Sequence, residues 1–241
     1  MNRFLKRAWA EIDLDALEHN YNEIKKLAKG KDILAVVKAN AYGHDDKAVC
    51  LKLQELGVKY YGVSNLWEGE KLRCHGITGT ILTFGYTDED YFDELLEYGI
   101  TQTAGSVQYA KQLSDYAVSK GVKLPVHIKV NTGMTRVGID SQQEMLDILA
   151  MPGLDCKAAY THFSAADSLD PSDVEYTDRQ QEKLMKIAKD KGLLIHSQNS
   201  GGIIYHGDFG GDIVRAGVIL YGHYPNSVSY THLTLPTILL V

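Results

Sequence analysis

The stretch ILAVVKANAYGHD, residues 33–45, opens as an apolar, branched run and then places Lys38 where that run ends. Tyr42 and Gly43 follow within five residues. The run lacks the alternation of a half-exposed strand, so it reads as a strand over 33–39 covered on both faces. A lysine at such a strand end either extends its ammonium into water along an apolar stem or stands beside a group that reacts with amines. What the neighbouring strands bring to the same end decides between the two.

Seven further runs of this kind occupy 60–65, 79–85, 99–105, 125–131, 155–163, 193–199 and 212–222. Helical patterns fill the gaps. Leu14, Leu17, Tyr21, Ile24 and Leu27 recur at spacings of three or four, one face of a helix. Asp15 with Glu18 and Ser141 with Glu144 have the spacing of reciprocal caps at helix starts. Gly30, Gly57, Gly99, Gly121 and Gly192 stand where helices should end. Eight strands alternating with helices predict an α/β protein, a closed (β/α)8 TIM-type barrel rather than an open doubly wound sheet. The 241 residues admit one such barrel.

Two segments fall outside the rhythm. Trp9 to Leu14 alternates like a half-exposed strand, yet it precedes the first helix and needs a partner sheet elsewhere. The tail after Tyr224, PNSVSYTHLTLPTILLV, carries a proline in its apolar run and is too short for a domain. Lys and Arg total 25 against 31 Asp and Glu, a net charge of −6, and no basic patch stands out. That balance argues against nucleic acid as a partner. Cys50, Cys74 and Cys156 are far apart and odd in number, which predicts free thiols in a reducing compartment. MNRFLKRAWAEIDL has no apolar core of a secretory signal, and the apolar end is shorter than the roughly 20 residues of a membrane span. The expectation is a cytoplasmic protein without a membrane partner.

Reactive groups of a parallel barrel gather at the C-terminal ends of its strands. Those ends carry Lys38, Arg136, His162, Asn199 with Ser200, and Arg215. Each has an ordinary reading: a snorkelling lysine, a loop arginine paired with a surface carboxylate, a hydrogen-bonded core histidine, a turn at Asn199–Gly202. Arg215 is the hardest to explain that way, because a guanidinium inside an apolar strand needs acceptors close by. Ser200-Gly201-Gly202 and Arg215-Ala216-Gly217 put small residues where the seventh and eighth loops meet, a place where barrels bind phosphate through backbone N–H groups. A phosphate-bearing aldehyde bound there would explain Lys38 as the amine that holds pyridoxal 5'-phosphate, PLP.

AWAEIDLDALEHN, AVVKANAYGHD, HIKVNTGMTRVG, YTHFSAAD, HSQNSGG and VRAGVILYG, read in order, resemble the signatures of the alanine racemase family over about residues 7–224. The resemblance implies a PLP barrel, a separate C-terminal β-domain and a head-to-tail homodimer that interconverts L- and D-alanine for cell-wall precursors. By matching position, Lys38 would carry the cofactor and act as base toward the D-enantiomer. Tyr42, Ser200 and the backbone of Gly217 and Val218 would hold the phosphate, with Asn199 and Tyr221 among the cofactor-binding residues. His162 would lie against the pyridine ring and Arg215 would donate to the ring nitrogen. Because a guanidinium holds its proton, that nitrogen should stay unprotonated. Arg136 would reach toward the cofactor's phenolic oxygen and the substrate. Lys129 matches a lysine carbamylated in some relatives. No metal is implied.

In the family the base opposite the lysine is a tyrosine of the partner subunit's C-terminal domain, and Tyr230 lies in a stretch that does not match it. The chain therefore reads as 1–13 a strand made for a β-domain, 14–224 the barrel, and 225–241 an unrelated tail. It should be a truncated racemase of impaired turnover. The alternatives are a serine racemase of the same family, a stand-alone PLP-binding barrel without racemase activity, and a decarboxylase or aldolase on the same scaffold.

Overall fold

The computed structural model describes residues 9–226 and 233–240. In chain order the elements are β1 (Trp9–Ile12), α1 (Leu14–Leu27), β2 (Asp32–Val36), α2 (Asp46–Glu55), β3 (Tyr60–Val63), α3 (Leu66–Cys74), β4 (Thr80–Thr83), α4 (Phe92–Glu97) and β5 (Thr101–Ala104). Then follow α5 (Val107–Ser119), β6 (Leu124–Lys129), α6 (Gln142–Leu149), β7 (Leu154–Tyr160), α7 (Pro171–Ala188), β8 (Leu194–His196), α8 (Ser200–Tyr205), β9 (Ile213–Ala216) and β10 (Thr237–Leu240).

Strands β2 to β9 form one parallel sheet in the order β8-β7-β6-β5-β4-β3-β2-β9, the (β/α)8 barrel expected from the sequence. The remaining seam, between β8 and β9, is joined by Asp212 N–H to the Ile195 carbonyl at 2.8 Å and Arg215 N–H to the Gln198 carbonyl at 2.9 Å. Asp212 adds its carboxylate, which accepts from Ile195 N–H at 2.7 Å. The side chains filling the wall are apolar and fully buried, among them Tyr61, Ile81, Leu82, Val126, Ile128 and Ala159. Helix α1 packs over α2, α8 and the short 3-10 turn Val218–Tyr221, so it serves as the eighth outer helix although it comes first in the chain.

Every strand of the barrel is shorter than the run that predicted it, and four differences from the sequence reading have structural consequences. The strand predicted over 33–39 ends at Val36, and Lys38 already belongs to a turn. The run 212–222 is a strand only over Ile213–Ala216, after which the chain winds into the 3-10 turn. The cap of α1 is Asp13, whose carboxylate accepts from Asp15 and Ala16 N–H, rather than Asp15 with Glu18. Ser141 and Glu144 do form the reciprocal cap of α6. Finally, β1 finds an antiparallel partner within the chain itself, with Trp9 opposite Leu240 and Ile12 opposite Thr237. Among the described residues no helix is long and apolar enough to cross a membrane, and Cys50, Cys74 and Cys156 are free thiols.

Leu17 sits on the inward face of α1 and is fully buried. Leu17→Ala leaves a hole where α1 covers the barrel, so it should lower the unfolding free energy by about 3 kcal/mol in a urea titration, with the slope unchanged.

Candidate active site

Lys38 is half-buried at the mouth of the barrel and begins an unusual backbone turn. Ala39, Asn40 and Ala41 have φ of 54–55° and ψ of 48–52°, and Tyr42 follows with φ of 54°. Four consecutive non-glycine residues thus wind in the left-handed sense, at a cost of roughly 1–2 kcal/mol each. Local hydrogen bonds offset part of it: Gly43 N–H reaches the Ala39 carbonyl at 3.0 Å, and His44 N–H the Ala41 carbonyl at 3.1 Å. The turn brings Tyr42 back beside its lysine, with Lys38 Nζ 5.9 Å from the Tyr42 ring centroid. Both side chains line one cavity of about 700 Å³.

The same cavity is lined by Arg136, His162, Asn199, Ser200, Arg215, Gly217 and Val218, so nine of the ten residues singled out in the sequence converge. Tyr221 is the exception. It is fully buried behind Tyr42, with ring centroids 5.1 Å apart, and its hydroxyl donates to the Val36 carbonyl at 3.1 Å. Its place is behind Tyr42, which it supports, and it does not face the cavity.

One corner is polar and open at the backbone. Ser200 Oγ accepts from Gly217 N–H at 3.1 Å, and a Cβ at Gly217 would stand 3.3 Å from Tyr42 Oη and 3.6 Å from Ser200 Oγ. Two hydroxyls therefore face a bare backbone segment, the donor set that an anionic phosphate takes. Asn199, read as a possible turn residue, caps α8: its Oδ1 accepts from Gly202 N–H at 3.0 Å.

Arg215 belongs to β9, the neighbour of β2, and reaches toward the ends of β7 and β8. It is buried, and its Nη1 donates to the His196 carbonyl at 2.7 Å and to His196 Nδ1 at 3.1 Å. Its Nη2 donates to the carbonyls of Thr161 at 2.6 Å and Ser197 at 2.9 Å, with His162 Nδ1 at 3.4 Å. Its Nε–H has no protein partner among the described residues. Burial lowers the guanidinium to about 10, so it stays charged at neutral pH. Since arginine only donates, His196 accepts at Nδ1, carries its proton on Nε2 and gives it to His127 Nδ1 at 3.0 Å. Tyr160 stacks flat on His196, centroids 4.7 Å apart, beneath the guanidinium.

Burial, with the nearby cations behind it, pushes His162 down to about 3. Burial alone takes His127 to about 4, and burial with His127, Arg215 and Lys129 carries His196 well below the usual range. Lys129, 5.2 Å from the Tyr160 ring, is lowered to about 7 by burial and then by Arg215 and Arg136. Arg136 is exposed on a loop in which Asn131 Oδ1 accepts from Gly133 and Thr135 N–H, and it lacks a hydrogen-bond partner among the described residues. The sequence reading passed over His127, His196, Tyr160 and Ser64. His127 and His196 sit at inward positions of PVHIKVN and LLIHSQN, the parity that could have marked them. Tyr230 lies outside the described residues.

The free Nε–H, the two hydroxyls beside Gly217 and the lysine on the same cavity fit a phosphate-bearing pyridine aldehyde. The histidines carry a pH dependence of their own. Unfolded, His127, His162 and His196 would bind protons near pH 6.5, whereas folded they remain neutral down to about 4 or below. The unfolded state then binds more protons, so stability falls as pH drops from about 6.5 toward 4. Calorimetry at pH 5 should show an uptake of about three protons by these histidines on unfolding, falling to less than about one at pH 7.

The model of the alanine racemase N-terminal domain matches residues 12–225. The alanine racemase of Clostridium perfringens strain SM101 is 39% identical over 236 residues, which are 94% of this chain and 60% of that protein. The alanine racemase of Desulforamulus reducens is 38% identical over 90% of this chain and 61% of its own length. The solved alanine racemase of Clostridium difficile 630 superposes with a TM-score of 0.91 at 34% identity, covering 98% of this chain and 65% of that one. A histidine racemase from Leuconostoc mesenteroides superposes with a TM-score of 0.89 at 26% identity, covering 99% and 66%. The chain spans about 60% of the length of the curated relatives it matches. With the domain match running from the first helix to the end of the barrel, the chain belongs to the alanine racemase family.

Proposed function

We propose that this chain is the cofactor-binding barrel of a PLP-dependent amino-acid racemase whose substrate is alanine. The observation that carries this reading is the joining of three groups on one cavity: the amine of Lys38, the Ser200, Gly217 and Tyr42 corner, and the unpaired Nε–H of Arg215. Bound PLP supplies the electron sink that makes the α-proton of an amino acid removable. Ser200 Oγ, Tyr42 Oη and the backbone at Gly217 and Val218 bind its phosphate. Arg215 Nε–H would donate to the ring nitrogen without giving up its proton, and neutral His162 would lie against the ring. Lys38 Nζ takes or returns the α-proton on its own face of the substrate.

Arg136, unpaired and facing the cavity, orients the substrate carboxylate and the cofactor's phenolic oxygen. Lys129, partly a neutral amine near pH 7, is in the form that carbon dioxide modifies, and a carbamate there would bridge to Arg136. Racemisation also needs a proton carrier on the other face. Of the cavity's tyrosines, Tyr42 stands with Lys38 and Tyr160 is tied beneath the floor by Thr103 Oγ1 at 2.9 Å. By the resemblance to the alanine racemase family, the second carrier is assigned to a tyrosine of a partner subunit in a homodimer. Alanine is preferred because the curated relatives, at 34–40% identity, carry the name alanine racemase.

Borohydride reduction of the protein mixed with PLP, followed by peptide mapping, should place the pyridoxyl mass on the peptide bearing Lys38. In deuterium oxide the loaded chain alone should exchange the α-proton of D-alanine and leave L-alanine almost untouched. Absence of the mass at Lys38 sinks the cofactor assignment, and fast interconversion by the lone chain sinks the two-subunit division of labour.

A further inference from the structure

The left-handed turn after Lys38 has a fastener outside itself. Glu68 is the third residue of α3, whose cap is Asn65, with Asn65 Oδ1 accepting from Glu68 N–H at 3.1 Å. A glutamate at that position ordinarily folds back onto the N–H groups at its own helix entry. Glu144 does so in this protein, with a single oxygen, Oε2, taking both Asp140 N–H at 2.9 Å and Ser141 N–H at 3.0 Å. Glu68 is divided differently. Its Oε2 accepts from Ser64 N–H at 2.7 Å, at the end of β3, while its Oε1 crosses to Ala39 N–H at 2.9 Å, just past β2. The bond spans 29 positions and ends on the residue that follows Lys38.

We propose that Glu68 is a positioning residue for Lys38: its carboxylate ties the ends of β2 and β3 together and holds the Ala39–Tyr42 turn in its left-handed form, so that the lysine amine and the Tyr42 hydroxyl share one cavity. The proposal rests on the functional reading above only in what the amine is held for. Ala39 N–H is the first donor of the turn, and the donors inside the turn, such as Gly43 N–H, are already used within it. Without Glu68, Ala39 N–H is left to water and the strained turn loses its only long-range main-chain anchor among the described residues. Asn40 assists from its side chain, with Oδ1 accepting from Asp46 N–H at 3.1 Å, which orients the turn toward α2 rather than toward the cavity.

Three variants separate positioning from ordinary helix capping. Asn65→Ala removes the cap of α3 and leaves the Ala39 bond. Glu68→Ala removes both carboxylate bonds, and Glu68→Gln keeps one accepting oxygen. The first readout needs no cofactor: the Cα and Cβ carbon shifts of Ala39 and Ala41, which report left-handed against other backbone. They should be left-handed in the parent and in Asn65→Ala, displaced in Glu68→Ala, and intermediate in Glu68→Gln. The second readout is the concentration of PLP giving half-maximal pyridoxyl labelling of Lys38, which should rise about tenfold in Glu68→Ala, with Glu68→Gln between it and the parent. Unchanged alanine shifts in Glu68→Ala, or the same displacement in Asn65→Ala, overturn the proposal. A parent that gains no pyridoxyl mass refutes the cofactor reading, while the alanine shifts still decide what Glu68 holds.

Discussion

A guanidinium buried without a carboxylate is the constraint around which this barrel is arranged. Arg215 sits in β9, at the seam where the sheet closes on itself, and its partners are carbonyl oxygens from the ends of β7 and β8. Removing that charge from water costs several kcal/mol unless nearly every donor is met. Four of the five N–H groups are met by backbone oxygens and an imidazole nitrogen, which fixes the plane of the guanidinium. That leaves Nε–H pointing at whatever enters the cavity. The same arrangement that closes the barrel therefore also aims one donor.

The consequences spread through the floor of the site. A donor-only neighbour fixes the tautomer of His196, which in turn fixes that of His127. Positive charge, together with burial, keeps His162 neutral and lowers Lys129. At the end of the neighbouring strand β2, backbone strain plays the comparable role. The left-handed residues after Lys38 adopt a conformation that free chains avoid, with Glu68 accepting from the first N–H and local carbonyls from those that follow.

Much of this was legible in the sequence. Eight unalternating runs separated by amphipathic spacings pointed to the barrel, and the polar residues at their ends line one cavity. The turn after Lys38 was not legible, since Ala39 and Ala41 carry no signal for left-handed backbone and a lone Asn40 marks at most a single such residue. Tyr221 was misplaced for a related reason. Periodicity put it on the strand, whereas the chain leaves the strand at Ala216 and tucks the ring behind Tyr42. Glu68 reads as a helix-start residue, and its bond to Ala39 becomes visible only when β2 and β3 lie side by side. The partner of β1 was likewise hidden, because a short strand carries no record of which edge it meets.

The central claim is that Arg215 donates through Nε without surrendering its proton. The most direct test is the nitrogen resonance of ring-labelled PLP bound to the chain, followed across neutral pH. A shift typical of an unprotonated pyridine accepting a hydrogen bond, coupled to a slowly exchanging Arg215 Nε proton, is the predicted result. A pyridinium shift, or an Arg215 Nε proton that exchanges as freely with cofactor as without it, would contradict the account.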